Sequence, residues 1–107
     1  MDAREAVVAA SSAAEVALTK GLRKRLVEKN ESDVVNWLLD VDGFGRLRRL
    51  ADEFSVECPP AKETDEMSRI RNSIIHRGET PVLFQAMRAI DVATKIVYLP
   101  SPPSLLR

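Results

Sequence analysis

The chain has 107 residues, enough for one domain and too few for separate cofactor and substrate domains. Sixteen Lys and Arg balance sixteen Asp and Glu, so net charge announces neither a nucleic acid nor a membrane, and any such partner must be met by a local patch. One cysteine, Cys58, and one histidine, His76, exclude an intrachain disulfide and cannot build a thiolate or imidazole zinc cage within one chain, so neither a metal nor a cofactor is expected.

The first residues, Met1-Asp2-Ala3-Arg4-Glu5, carry both signs of charge ahead of an alanine-rich segment, a pattern of neither a secretory signal nor a membrane span. The expectation is a soluble cytoplasmic protein in a reducing compartment. Few aromatics, short β-branched runs and apolar residues at three- and four-residue spacing predict an all-α fold. It reads as a four- to five-helix up-and-down bundle over residues 1–99, one domain, with 100–107 as a proline-rich extended tail.

The first helix is predicted over about residues 2–29, where Ala3, Val7, Ala10, Ala14, Ala17, Leu18, Leu22 and Leu26 trace an apolar stripe. Gly21 is a point at which it bends or divides, and Asn30 is a stop. Ser32 caps a short second helix bearing Val34, Val35, Trp37, Leu38 and Leu39, with Trp37 read as core. Residues 40–45 form a turn. Asp40-Val41-Asp42-Gly43 begins like a calcium loop, but Phe44 takes a ligand position and no glutamate stands at the twelfth, so calcium is not expected. Gly43-Phe44-Gly45 is too short for a phosphate loop and lacks its lysine, which leaves a turn with an anchoring aromatic.

A third helix over about residues 44–56 buries Leu47, Leu50, Ala51 and Phe54 and exposes Arg46, Arg48, Arg49, Asp52 and Glu53, until Pro59-Pro60 ends it. Cys58 has no His or acidic partner spaced to activate it and reads as a bystander. Thr64 is the expected cap of a fourth helix that holds Met67, Ile70, Ile74 and Ile75 and stops at Gly78. Thr80-Pro81 restarts the chain, hydroxyl cap then proline at the first helical position, for a fifth helix through Tyr98.

The hexapeptide Arg71-Asn72-Ser73-Ile74-Ile75-His76 concentrates the candidate chemistry. At about 100° per residue, positions five apart diverge by about 140°, so Arg71 and His76 do not share a helix face by spacing, whereas Asn72 and His76 do. A long guanidinium and a helix loosening toward Gly78 would bring both groups to one cleft. Arginine offers a planar fork for phosphate oxygens and histidine moves a proton near neutral pH, a pairing suited to metal-free phosphodiester transfer.

The stretch from Ser68 to Gly78 resembles the HEPN superfamily, whose signature is an Arg, a polar residue directly after it and a His at four to six intervening positions. Here the polar residue is Asn72 and four residues intervene. The apolar Ile70, the apolar pair before His76, the helix-ending Gly78 and the following amphipathic helix share the resemblance, which over the first 60 residues rests on helicity and length alone.

The resemblance implies a helical bundle that dimerises with its motifs facing, and a metal-independent endoribonuclease of toxin or defence type. Arg71 and His76 would be the catalytic pair and Asn72 their polar companion. A ribose 2′-hydroxyl would attack the adjacent phosphate, His76 would move the proton, Arg71 would stabilise the transition state, and the product would carry a 2′,3′-cyclic phosphate. The partner copy's Arg71 and His76 would complete the acid and base roles. In HEPN toxins paired with a nucleotidyltransferase antitoxin, a tyrosine two residues after the histidine is the modification site. Gly78 stands there in this chain, a departure that bears on any such antitoxin or regulatory partner.

Backbone contacts to RNA would come from Lys20, Arg23, Lys24 and Arg25, from Arg46, Arg48 and Arg49, and from Arg69 and Arg77 beside the motif. Without interleaved aromatics these clusters lack stacking platforms for bases, and such runs are commonly solvated helix faces. Two other readings stay open: a catalytically silent HEPN-like dimer serving as scaffold or accessory subunit, and an unrelated helical interaction module using the exposed end of its first helix.

Overall fold

In the computed structural model, residues 2–28, 32–40 and 43–99 are described, with Val34 and Leu38 described in backbone only. Among them the elements are α1 (Ala3–Leu26), α2 (Ser32–Leu39), α3 (Phe44–Glu53), α4 (Ala61–Arg77) and α5 (Leu83–Val97), with no strand. The all-helical reading therefore holds. Asn30, Val41, Asp42 and the tail at 100–107, about which the sequence made expectations, lie outside the described residues.

The long α1 organises the rest. Asp2 caps it by accepting the Glu5 backbone N–H at 2.9 Å, the main cause that holds this carboxyl below its ordinary pKa. The helix runs unbroken through Gly21 and ends at Leu26, so the expected division does not occur. Leu18 and Leu22, both buried, supply packing on either side of Gly21, and tertiary packing outweighs the roughly 1 kcal/mol that glycine costs in a helix. The buried face of α1, from Val7 through Ala14, Leu18, Leu22 and Leu26, meets all four other helices.

Helix α5 lies mainly on α1, burying Ala86, Ala89, Val92, Ala93 and Ile96. Small residues on both sides let the two backbones approach closely. Helix α4 packs against α1, α3 and α5 through Met67 and Ile70. Ion pairs from Arg88 to Glu66 at 2.7 Å and from Lys95 to Glu63 at 3.0 Å fix α4 and α5 antiparallel, so the first turns of α5 run beside the C-terminal half of α4. The Glu63 hydrogen bond is the main cause raising the pKa of Lys95.

Both predicted caps in this half of the chain are displaced. α4 begins at Ala61, three residues before Thr64, because Pro60 accepts the first helical N–H groups at its carbonyl (Glu63 at 3.0 Å, Thr64 at 3.2 Å). Thr64 is buried inside the first turn and donates its hydroxyl to the Ala61 carbonyl at 3.2 Å. α5 begins at Leu83, not Pro81, since Val82 is still extended (ψ 152°) and its carbonyl accepts the Ala86 N–H. The stop at Gly78 is as expected. Its φ of 65° is left-handed, and its N–H donates to the Ile74 carbonyl at 3.0 Å.

Two expected burials are reversed. Trp37, read as core, is 75% exposed, because the eight-residue α2 turns one face inward, where Val35 is fully buried. Arg48, read as exposed, is half-buried, bonded to Asp52 and reaching the Pro59 carbonyl at 3.4 Å. α3 is also shorter than expected, ending at Glu53, with Ser55 in the left-handed region at φ 58°.

Leu22→Ala is expected to lower unfolding free energy by about 2–5 kcal/mol, whereas Trp37→Ala should change it by less than about 0.5 kcal/mol. Urea titrations followed by circular dichroism measure both. A larger loss at Trp37 than at Leu22 would reverse this assignment of the core.

Candidate functional site

The motif occupies the last two turns of α4, and those turns are regular helix through Arg77. No loosening toward Gly78 occurs, so Arg71 and His76 keep the divergence of about 140° that their spacing dictates. Met67 and Ile70 turn inward, which sets Arg71 at the edge of the core and leaves Asn72 and His76 exposed.

Arg71 is half-buried and turned into the chain. It borders a cavity of about 130 Å³ whose walls are Ser11 and Glu15 of α1, the start of α3 at residues 43–45, and Ser68 and Asn72 of α4. Its Nε is buried without a hydrogen-bond partner, as is the hydroxyl of Ser11 across the cavity. An unpaired buried donor costs about 1–3 kcal/mol, which makes this pair of atoms the main unsettled polar feature around the motif.

His76 borders none of the described cavities. It lies on the outer face of α4, between Asn72 and Arg69 in helical projection. Beyond Arg69 a separate groove of about 220 Å³ opens between the end of α4 and the start of α5, lined by Arg69, Ser73, Arg77 and Gln85. Glu79 neutralises part of it, accepting from Ser73 Oγ at 2.8 Å and from Arg77 at 3.3 Å. Within one chain the motif thus faces two ways, with Arg71 toward α1 and α3 and His76 toward solvent.

Exposed apolar side chains lie on either flank of His76. Ile75, about 100° round the helix from His76 toward Arg71, is 47% exposed, and at the start of α5 Leu83, Phe84 and Met87 are 72, 68 and 61% exposed. The α4–α5 register carries these residues alongside the motif. Arg88 lies over the Phe84 ring at 5.4 Å, which covers only part of this face.

The remaining basic candidates divide by burial. Lys20, Lys24, Arg46, Arg49, Arg69 and Arg77 are exposed, and exposed Arg23 donates to Asn36 at 2.8 Å. Arg25 is only 5% exposed and donates to the Phe54 carbonyl at 2.9 Å, and Arg48 is engaged with Asp52, so these two sit in the packing rather than on an open surface. Lys20 and Lys24 line a concavity of about 780 Å³ between α1, the segment after α3 and the end of α5, which includes no motif residue. Among the described residues no cluster of His, Cys, Asp and Glu could hold a metal, and no helix is long and apolar enough to cross a membrane.

Sequence reasoning missed Ser11 and Glu15. The available signal was a serine at a core position of the α1 stripe, four residues after Val7 and three before Ala14, where a hydroxyl has no apolar purpose. Cys58 is half-buried, and burial pushes its pKa up to about 11, with Arg48 opposing and Asp52 adding to the shift.

Set beside protein-family models, curated proteins and solved structures, the chain matches none.

The Cys58 thiol is expected to react with iodoacetamide far more slowly in the native protein than in urea near neutral pH. The folded pKa of about 11 exceeds the ordinary 9.0, so folding favours the protonated thiol below pH 9.0 and that contribution disappears as pH rises through about 11. Equal native and denatured rates at neutral pH would contradict it.

Proposed function

We propose that this chain is a metal-independent endoribonuclease of HEPN type, a toxin or defence effector that works as a homodimer. The observation that carries the reading is the divided motif. α4 presents an arginine without a carboxylate partner and, on another face, an exposed histidine flanked by uncovered apolar side chains. One chain offers the proton-transfer group and the anion-binding group in different directions, and a symmetric partner seated on the flank of α4 between them, where Ile75 is exposed, brings its own His76 toward this Arg71. Exposed large apolar side chains such as Ile75 favour docking of this kind.

In the composite site the 2′-hydroxyl of one ribose attacks the adjacent phosphorus, with His76 of one copy taking the hydroxyl proton. The second His76 returns a proton to the departing 5′-oxygen, while Arg71 holds the non-bridging oxygens as negative charge grows on them. Asn72, which shares the His76 face, orients the imidazole or a ribose hydroxyl. Exposed Arg69 and Arg77 add backbone contacts to the RNA.

A second reading is a catalytically silent dimeric scaffold. What favours it is the burial of Arg71 in its own chain's cavity, turned from His76.

Purified protein incubated with a mixed RNA pool in excess EDTA decides between them. Wild type is expected to cleave and leave cyclic phosphate ends. His76→Ala should lose cleavage with circular dichroism and oligomeric state unchanged, and Arg71→Lys should lose at least about tenfold, since a point charge does not reproduce a planar fork. A folded wild-type dimer that cleaves nothing supports the scaffold, and a folded His76→Ala that cleaves normally removes the histidine from the mechanism.

A further inference from the structure

The cavity beside Arg71 has the makings of a ligand site rather than a packing fault. Ser11 is 2% exposed, and its hydroxyl has no hydrogen-bond partner. Helical hydroxyls ordinarily settle on the carbonyl one turn back, as Thr19 does at 2.8 Å and Thr94 at 2.7 Å. Ser11 does not, and it lines the same cavity as the buried, unpartnered Arg71 Nε.

The opposite wall supplies more donors. Helix α3 opens on Gly43, which has no side chain to cap it, and among the described residues no side-chain cap hydrogen bond meets its first turn. The N-terminus of a ten-residue helix favours an anion. Gly45 in that turn is exposed, with open space where a Cβ would stand. Ser68 and Asn72 on α4 add a hydroxyl and an amide.

Glu15 is the one carboxyl group in the wall, and when ionised it accepts and does not donate. A carboxylate there disfavours a bare phosphate dianion and accepts from a hydroxyl carried beside the phosphate. The volume of about 130 Å³ leaves room for a phosphate and the adjoining edge of a sugar.

We propose that this cavity binds a ribose phosphate. The phosphate oxygens sit between Arg71, Ser11 and the start of α3, and a sugar hydroxyl sits at Glu15. The choice of ribose over another hydroxyl-bearing carrier rests on the ribonuclease reading, but binding requires neither cleavage nor His76.

The test titrates the isotope-labelled full chain with ribose 5-phosphate, 2-deoxyribose 5-phosphate and inorganic phosphate, following the Gly45 amide and Arg71 Nε–H signals by NMR. Saturable shifts are expected with all three, tightest for ribose 5-phosphate. Ser11→Ala should weaken that affinity about fivefold and Arg71→Lys about tenfold or more. Glu15→Gln should level the preference for ribose over deoxyribose. Gly45→Asp, which adds a carboxylate where no packing is disturbed, should abolish binding with circular dichroism unchanged.

Absence of saturable shifts with every probe, or affinity unaltered in a folded Ser11→Ala, overturns the site. Inorganic phosphate binding as tightly as ribose 5-phosphate overturns the sugar assignment. RNA cleavage without ribose phosphate binding would sink this site and leave the ribonuclease standing. Binding without cleavage would do the reverse.

Discussion

The close approach of α1 and α5 is the contact on which the remaining structure depends. Ala14 on one helix and Ala86, Ala89 and Ala93 on the other are buried almost completely, so the backbones themselves nearly meet. Alanine removes little area per residue, and the interface holds through many short-range dispersion contacts, with Leu18, Leu22 and Ile96 adding the larger apolar burial. Because α1 is 24 residues long, its other sides remain for α2, α3 and α4. Arg25 then ties the far end, its guanidinium bonded to the Phe54 carbonyl at the turn leaving α3.

That arrangement decides what the motif can do. With α4 held against α1 and α3 by Met67 and Ile70, the residue one position beyond Ile70 must lie beside α1, and the residue five beyond that must face outward. The helix cannot deliver both to one place without breaking, and Gly78 ends it only after His76 has been placed. Charge follows the same division. Arg71 shares its cavity with neutral donors and one carboxylate that does not pair with it, whereas Arg77 on the outer side is already matched by Glu79.

Much of the architecture was legible in the sequence because periodic apolar spacing is a property of each helix alone. The stop at Gly78 and the angular separation of Arg71 from His76 were legible for that reason. The starts of α4 and α5 were not, since Thr64 and Thr80 have the chemistry of caps, yet Pro60 and Val82 supply carbonyls that begin the helices elsewhere. Trp37 misled because bulk suggests core, while a two-turn helix has only one face to bury. The walls of the Arg71 cavity come from α1, α3 and α4, brought together by tertiary packing. No local pattern links Ser11 to Gly43 or to Arg71, so Gly43-Phe44-Gly45 read as a turn lacking a phosphate-loop lysine, although the neighbouring cation arrives from α4.

Under the proposed two-copy site, the opposed directions of Arg71 and His76 on one rigid helix would carry a kinetic consequence. In a site assembled from two copies, turnover follows the square of protein concentration when dimers are scarce and becomes first order only once they predominate. Such a protein would be nearly silent as a newly made minor species and switch on steeply with accumulation. Its own abundance would then act as the control, without any modification of the chain.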